Sequence, residues 1–546
     1  MVLGRVSRRA LLVGGWSVLG VPVLAACLGR ESKGKKGGGS AASGGAGSGS
    51  AGASASASGS AGASGGSGQG VTRTVSTVGA TLKVTVGPAV VSNDVMVVPL
   101  AVHLDKAGSS SPSSSGFGLD LVWNGTDRYT GADGVRLVDF DAGTVQATFK
   151  ASSESTLLMD KEPDVTLHAL FKPVDASTIN VLVPESGLFE GVPVVRDGKL
   201  SEDAKKALED VYDTESSPDP VALETFTASV DGASDTRVTG KSVTITLASD
   251  VLFDSDSADL SAQADTTLKK AADQLSTYPG GQVTIVGHTD DVADDAHNQD
   301  LSQRRAQAVS DRLGQLASMS AYSVSVSGKG ESEPRVPNDS DENRQLNRRV
   351  EITLVPTQES STKSPTGTSK DADKGSGKGG GDLPKAEGPV AKGSEGVTVK
   401  RGGGDDKLTF VLKEVTRRGK YLVGEVKATG GPGGTKTGPA DWLQPTQILG
   451  SARGEEDTTL INAVTGLSLL TAQTRYYPVD YTTTQGAHHP LSEITADNKL
   501  GDGDATTLTV VWPDTGQDTA TLDLEPATGP TRPNNPFRLT DIPIKG

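Results

Sequence analysis

The sequence predicts a multidomain chain, with a central α+β domain between two all-β sandwiches and disordered linkers joining them. Three observations predict it. The 546 residues exceed the roughly 250–300 that one hydrophobic core sustains. The 68 glycines and 4% aromatic content point to low-complexity linkers between folded parts. Apolar residues alternate with polar ones through two long stretches and take helical spacing in the stretch between them. Acidic residues outnumber basic ones 68 to 52, a net charge of −16. That balance speaks against a nucleic-acid partner, which calls for a basic face. The single cysteine, Cys27, excludes a disulfide framework and a cysteine-based zinc site.

Residues 1–26 read as a signal peptide. Arg5, Arg8 and Arg9 precede an apolar run from Ala10 to Ala26, shorter than the about 20 residues that a membrane-spanning helix needs. The run closes on Leu24-Ala25-Ala26-Cys27, which resembles a bacterial lipobox. That resemblance implies lipidation of Cys27 and a membrane partner through it. Ser7-Arg8-Arg9-Ala10-Leu11-Leu12 resembles a twin-arginine export motif, with Leu11 in place of the usual Phe. Each acyl methylene buried in lipid contributes about 0.8 kcal/mol, so two or three chains hold firmly. Residues 27–71 are almost entirely Gly, Ser and Ala. Such a segment cannot bury a core and reads as a disordered spacer.

Residues 72–198 read as a β-sandwich, from strands such as Val84-Thr85-Val86, Met96–Val102 and Leu119–Trp123. Residues 199–241 read as a connector with a short surface helix over Ser201–Tyr212, N-capped by Ser201. Residues 357–396, rich in Lys, Asp, Gly, Ser and Pro, read as a second disordered linker, and residues 397–546 as a second sandwich. The two sandwiches read as diverged repeats. Thr166–Pro173, Ile179–Pro184 and Val192-Pro193-Val194 recur in order as Thr507–Pro513, Ala520–Pro526 and Ile542-Pro543-Ile544. Both resemble the immunoglobulin-like domains of bacterial surface lipoproteins.

Residues 242–356 change character. Val243, Ile245 and Leu247 alternate as in a strand. Leu268, Ala271, Ala272 and Leu275 predict a helix over Ser261–Thr277, and Val283–Val286 a second strand. Leu301, Val309, Leu313 and Leu316 predict a helix over Asn298–Ala317, and Ser323–Ser327 and Val350–Val355 two further strands. The order β-α-β-α-β-β fits two helices on one face of a sheet. Asp290 lies just past a strand end, where layered α/β folds place ligands. Arg305 falls on the apolar arc of its helix, where an unpartnered cation costs several kcal/mol. Arg312 lies near the same arc.

Four motifs in this stretch carry a resemblance. Gly287-His288-Thr289-Asp290 follows a strand, and Asn298–Val309 opens a helix. Gly328-Lys329-Gly330-Glu331 follows another strand, and Asn347-Arg348-Arg349 opens the last one. Together they resemble the OmpA C-terminal-like domain, also found in peptidoglycan-associated lipoproteins and flagellar-motor stators. The resemblance implies non-covalent binding of the peptidoglycan stem peptide through its zwitterionic diaminopimelate side chain. By motif position, Asp290 takes the ammonium and Arg305 the carboxylate in a forked pair. Asn298 and Arg348 complete the wall of that pocket. Read without the family, Asp290 and Arg305 also fit an internal salt bridge with no ligand. Two departures stand out. Asp291-Val292-Ala293-Asp294-Asp295 replaces the family's usual glycine turn, and Asp256 stands where Asn or a small polar residue is common.

No metal site and no cofactor are assigned. His288 reads as locally hydrogen-bonded, and His488-His489 as a solvated pair in a polar loop. Asp254, Asp256 and Asp259 lack the closing Glu of a calcium loop. A nucleophile elbow, a phosphate loop and a His-Glu-x-x-His helix are absent from the sequence, so catalysis is not expected. The expected role is a tether between membrane and cell wall on the extracytoplasmic side. The anchoring membrane is the cytoplasmic membrane's outer face, or the outer membrane in a two-membrane envelope. The alternative is an adhesin or receptor whose sandwiches carry the function and bind an envelope protein.

Overall fold

A computed structural model of the chain describes residues 69–108, 132, 134–149, 163–209, 219–357, 382–401, 406–443, 463–483, 486, 488–494, 499–526 and 535–546. The signal peptide, Cys27, residues 28–68 of the first spacer, the strand expected at Leu119–Trp123 and residues 358–381 of the second linker lie outside them. Among the described residues, no helix is long and apolar enough to cross a membrane.

The N-terminal β unit holds β1 (Val71–Thr77), β2 (Ala80–Val86), β3 (Ala89–Ser92), β4 (Val95–Lys106), β5 (Arg136–Asp139), β6 (Thr144–Ala147), β7 (Asp164–Phe171), β8 (Thr178–Val183) and β9 (Gly187–Arg196). One layer runs β1-β2-β4-β7 with β3 on β4, and the other runs β6-β5-β8-β9. Strand β9 reaches across to pair in parallel with β3. Leu82, Val84, Leu100 and Phe171 from one layer meet Leu137, Val181 and Phe189 from the other in a shared core.

The segment expected to be a connector is more ordered than its composition implies. Its helix α1 (Glu202–Glu209) is present, with Ser201 Oγ accepting from Ala204 N at 3.1 Å. After it come β10 (Val221–Ser229) and β11 (Ser234–Val238), which the sequence reading missed. Residues Leu223–Thr227 of β10 are buried in succession, with Leu223 in the apolar cluster shared by the two β units and Phe226 against Tyr477. A strand covered on both sides has no apolar–polar alternation to read.

The central domain follows as β12 (Val243–Ala248), α2 (Ser249–Leu252), α3 (Ala264–Leu275), β13 (Gly281–His288), α4 (Asp295–Leu316), β14 (Tyr322–Gly328), α5 (Asp341–Asn347) and β15 (Arg349–Pro356). The four strands and two main helices match the expected order, and the short α2 and α5 are additions. The sheet order is β14-β13-β15-β12, parallel only between β13 and β14. Leu268, Ala272 and Leu275 of α3 and Ala306, Val309 and Leu313 of α4 pack on Val283, Ile285 and Ile352. Arg312 clasps Asp265 of α3 at 2.7 Å on the surface, so it does not share the role of Arg305.

The C-terminal β unit holds β16 (Val390–Lys392), β17 (Val397–Lys400), β18 (Lys407–Val411), β19 (Val415–Arg418), β20 (Tyr421–Gly430), α6 (Ala440–Leu443), β21 (Leu467–Leu470), β22 (Thr474–Tyr476), β23 (Asp480–Thr482), β24 (His488–Pro490), β25 (Ala505–Pro513), β26 (Thr519–Leu524) and β27 (Phe537–Lys545). It begins earlier than expected, because β16 pairs in parallel with β27 inside the segment read as a linker. Three residues among Gly, Pro and Lys leave too short a pattern to recognise. The pairings β17–β18, β18–β20, β19–β20, β20–β25, β19–β27, β21–β22, β21–β26 and β26–β27 reproduce those of the N-terminal unit one for one. Register equates Phe171 with Trp512, opposite Met96 and Leu422, one position away from aligning Pro173 with Pro513.

Strand β10 joins all three parts. It pairs with β6 at Val221 and Ala222, with β23 at Leu223 and Glu224, and with both β11 and β22 further on. Strand β11 then pairs with β12. One hydrogen-bonded succession thus runs from β14 through β12, β11 and β10 to β22, β21, β26 and β27.

Candidate functional site

The site lies where β13 ends. Gly287 and Gly328, the first residues of two sequence motifs, let α4 press onto β13 and β14. A Cβ at Gly287 would sit 2.1 Å from Ser302 O, and one at Gly328 2.3 Å from Gln303 N. Ser302 Oγ in turn accepts from Gly330 N at 2.9 Å, and Thr289 N donates to Gly330 O at 2.9 Å. Helix α4 starts at its cap Asp294, which accepts from His297 N at 3.1 Å. The acids that replace the family's glycine turn are therefore used locally, since Asp291 also pairs with Arg344 of α5 at 2.9 Å.

The structure brings the four site residues together, though not in the pairing that the sequence left open. Asp290 Oδ2 meets Arg348 Nη1 at 2.7 Å. No Asp290–Arg305 ion pair forms among the described residues. Arg348 caps the C-terminus of α5 and grips Asp250 in a fork, Nε to Oδ1 at 2.8 Å and Nη2 to Oδ2 at 2.7 Å. The Asp250 bond, then Asp290, raise the Arg348 pKa against the opposing effect of partial burial. Arg305 is 5% exposed on α4. Its Nε donates to Ser257 O at 2.8 Å and Nη2 to Asp254 O at 3.4 Å, with the guanidinium 5.2 Å over the Phe253 ring. Burial lowers its pKa, and the nearby charges of Asp250, Asp256 and Asp290 oppose that. Among the described residues Nη1 has no protein partner, and it is not sealed from solvent. Asn298 Nδ2 faces three acceptors, Asp290 O and Ala293 O at 3.1 Å and Glu331 Oε2 at 2.6 Å.

This arrangement can bind a zwitterion. Asp290 is an acceptor oriented by Arg348 and the turn held by Asn298, and Arg305 offers a half-used guanidinium beside it. Sequence reasoning missed Asp250, Phe253 and the carbonyls of Asp254 and Ser257. Asp256 carried one readable signal, because its φ of +55° is the left-handed region that Asn tolerates best. It also meets His297 Nε2 at 2.6 Å.

Three secondary readings change. Both ring nitrogens of His288 are buried without a partner among the described residues, where local hydrogen bonding was expected. Burial, then Arg349, push its pKa down to about 4. His488 and His489 lie in strand β24, not in a solvated loop, and His489 stacks on Tyr481 at 5.6 Å. Among the described residues the one group of potential metal ligands that converges is Glu224, Asp480 and His488, within 4.8 Å of one another. Arg237 Nη2 already donates to Glu224 Oε2 at 2.9 Å and lies against His488 Nε2, so a guanidinium fills that junction. Asp254, Asp256 and Asp259 do not converge.

Residues 252–348 match the OmpA family. They form an OmpA-family domain. Over 102 residues the chain is 42% identical to outer membrane porin F of Pseudomonas aeruginosa, covering 19% of this chain and 29% of that one. Over 125 residues it is 36% identical to the "Probable lipoprotein YiaD" of Escherichia coli K12, covering 23% of this chain and 56% of that one. The match thus spans less than two thirds of either relative. Solved structures similar to the chain include the cell wall anchor of the T6SS from Pseudomonas aeruginosa, at 33% identity and a TM-score of 0.21 over 23% of this chain and 88% of that one. The peptidoglycan-associated lipoprotein from Burkholderia pseudomallei matches at 26% identity and a TM-score of 0.17, over 20% and 86%.

Proposed function

We propose that the chain is a non-catalytic, lipid-anchored envelope protein whose OmpA-family domain binds the diaminopimelate-bearing stem of peptidoglycan. The observation that carries the proposal is the rim where Asp290, Arg305 and Arg348 gather, with Asn298 beneath them. An oriented carboxylate suits the ligand's ammonium, and the outward edge of Arg305 suits its carboxylate. Cys27 supplies the lipid, and the spacer of residues 28–71 lets one molecule hold membrane and wall at once. Linkage of this kind raises the effective concentration of the second contact. The two β units act as immunoglobulin-like docking domains for an envelope protein.

The test is co-sedimentation of the full chain with purified sacculi. Asp290→Ala and Arg305→Ala should each remove the protein from the pellet, and added salt should weaken native binding. Equal pelleting of native and variant chains would reject the pocket. A fragment beginning at residue 241 is a poor substitute, since it strips β11 from the edge of β12.

A further inference from the structure

The seam between the two β units has an apolar part and a polar part. In the first, Val138, Leu182 and Leu188 of the N-terminal unit share one buried cluster with Tyr421, Val423 and Val511 of the other. The polar part is built around Glu493. Arg136 of β5 reaches across to it, with Nε donating to Tyr481 Oη at 2.8 Å and Nη2 to Glu493 Oε1 at 3.4 Å. His489 Nδ1 lies 3.6 Å from the same carboxylate oxygen.

The second oxygen, Glu493 Oε2, is buried with no partner among the described residues, and so are Ser492 Oγ and Thr509 Oγ1. The three residues are 8%, 5% and 6% exposed. Thr509 shares the seam face of β25 with Val511, while Leu508 and Val510 point into the C-terminal core. All three residues line one cavity of about 10 Å³. Leu182 and Pro184 wall it from the N-terminal unit, and Leu491 and Ile494 from the C-terminal unit.

A buried polar atom that makes no hydrogen bond loses the partner it had in water, so three around one space call for a common partner. Their chemistry defines it. Two are hydroxyls that donate or accept, and the third is a carboxylate oxygen that only accepts, so the partner has to donate. The space sets its size, since about 10–15 Å³ holds one water molecule, which needs about two to four polar partners. A metal ion fits less well. Glu493 is already answered by Arg136, and calcium asks for about six to eight oxygens.

We propose that one water molecule is built into this seam, donating to Glu493 Oε2 and bonded to Ser492 Oγ and Thr509 Oγ1. It explains why a serine, a glutamate and a threonine stand among apolar walls. The two β units are thus joined through a molecule taken from solvent as well as through their own side chains.

Water-oxygen magnetic relaxation dispersion of the full chain, which counts long-lived bound water, tests this. Thr509→Val keeps the side-chain shape and removes one hydroxyl, and Ser492→Ala removes the other. The double variant should lose the signal of one long-lived water molecule relative to the native chain, and Thr509→Ser, which keeps its hydroxyl, should retain it. The proposal is overturned if the double variant keeps the native signal with native circular dichroism, or if Thr509→Ser alone loses that water. Should the double variant fail to fold, Ser492→Ala alone should shorten the residence of the same water about fivefold, the loss of one ordinary hydrogen bond. An unchanged residence would overturn the assignment. Replacing sodium chloride by tetramethylammonium chloride should leave the thermal midpoint unchanged. A lower midpoint without sodium, absent from Ser492→Ala, would give the cavity to a cation and overturn the water.

Discussion

Acidification should loosen the OmpA-family domain through one residue, His288. Its ring is 2% exposed, and neither nitrogen has a partner among the described residues. Burial, followed by the charge of Arg349, pushes its pKa from 6.5 to about 4. The folded value lies below the unfolded one, so between the two the unfolded chain binds more protons. Stability is therefore fully present above pH 6.5, falls as the pH drops toward 4, and levels off below that. At about 1.36 kcal/mol per pH unit the whole window amounts to about 3 kcal/mol, of which about 2 kcal/mol is lost by pH 5. Glu333, held low chiefly by its bond to Lys329, adds a loss only nearer the carboxylate range, so a variant lacking the His288 imidazole is the control between pH 7 and 5. Hydrogen exchange of the β13 and β15 amides in graded urea, corrected for intrinsic rates, reads this domain without interference from Trp442 and Trp512, which belong to the C-terminal β unit. His288→Leu should flatten the dependence. If the native chain and this variant lose equal stability between pH 7 and 5, the reasoning is wrong.

Other outcomes follow from the same geometry. Gly287→Ala places a methyl 2.1 Å from Ser302 O, so it should destabilise the domain by about 3 kcal/mol or separate α4 from β13, visible in the urea midpoint. Arg312→Ala removes an exposed, solvent-screened clasp and should leave the urea midpoint nearly unchanged and sacculus binding intact, in contrast to Arg305→Ala. Asp250→Ala frees two of the three bonded nitrogens of Arg348, lets it swing away from Asp290, and should weaken sacculus binding by about fivefold, or about 1 kcal/mol. Ser340→Ala removes the cap of α5 and should cost about 1 kcal/mol, read in the same urea series.

Much of the central domain was legible because its signals are local. Period-two and helical spacing located four strands and two helices, and glycines before Asp290 and Glu331 marked where the helix comes close. The Arg305 position on an apolar arc was visible as an anomaly needing partners. The partners themselves were not, because two are backbone carbonyls of the segment Asp254–Ser257, and carbonyls have no sequence signature. Asp290 and Arg348 lie 58 residues apart, and nothing local ties them.

By itself the amino-acid sequence determined the order of the three main folded parts, the type of the central domain and the repeat of two β units, since each rests on composition or on spacing within a dozen residues. The tertiary structure alone decided that β10 fastens the three folded parts together, that Asp290 answers Arg348 and not Arg305, and that Ser492, Glu493 and Thr509 line one cavity at the seam of the β units. Those outcomes depend on which strand edges and faces meet, and such meetings are chosen by shape and burial across hundreds of residues.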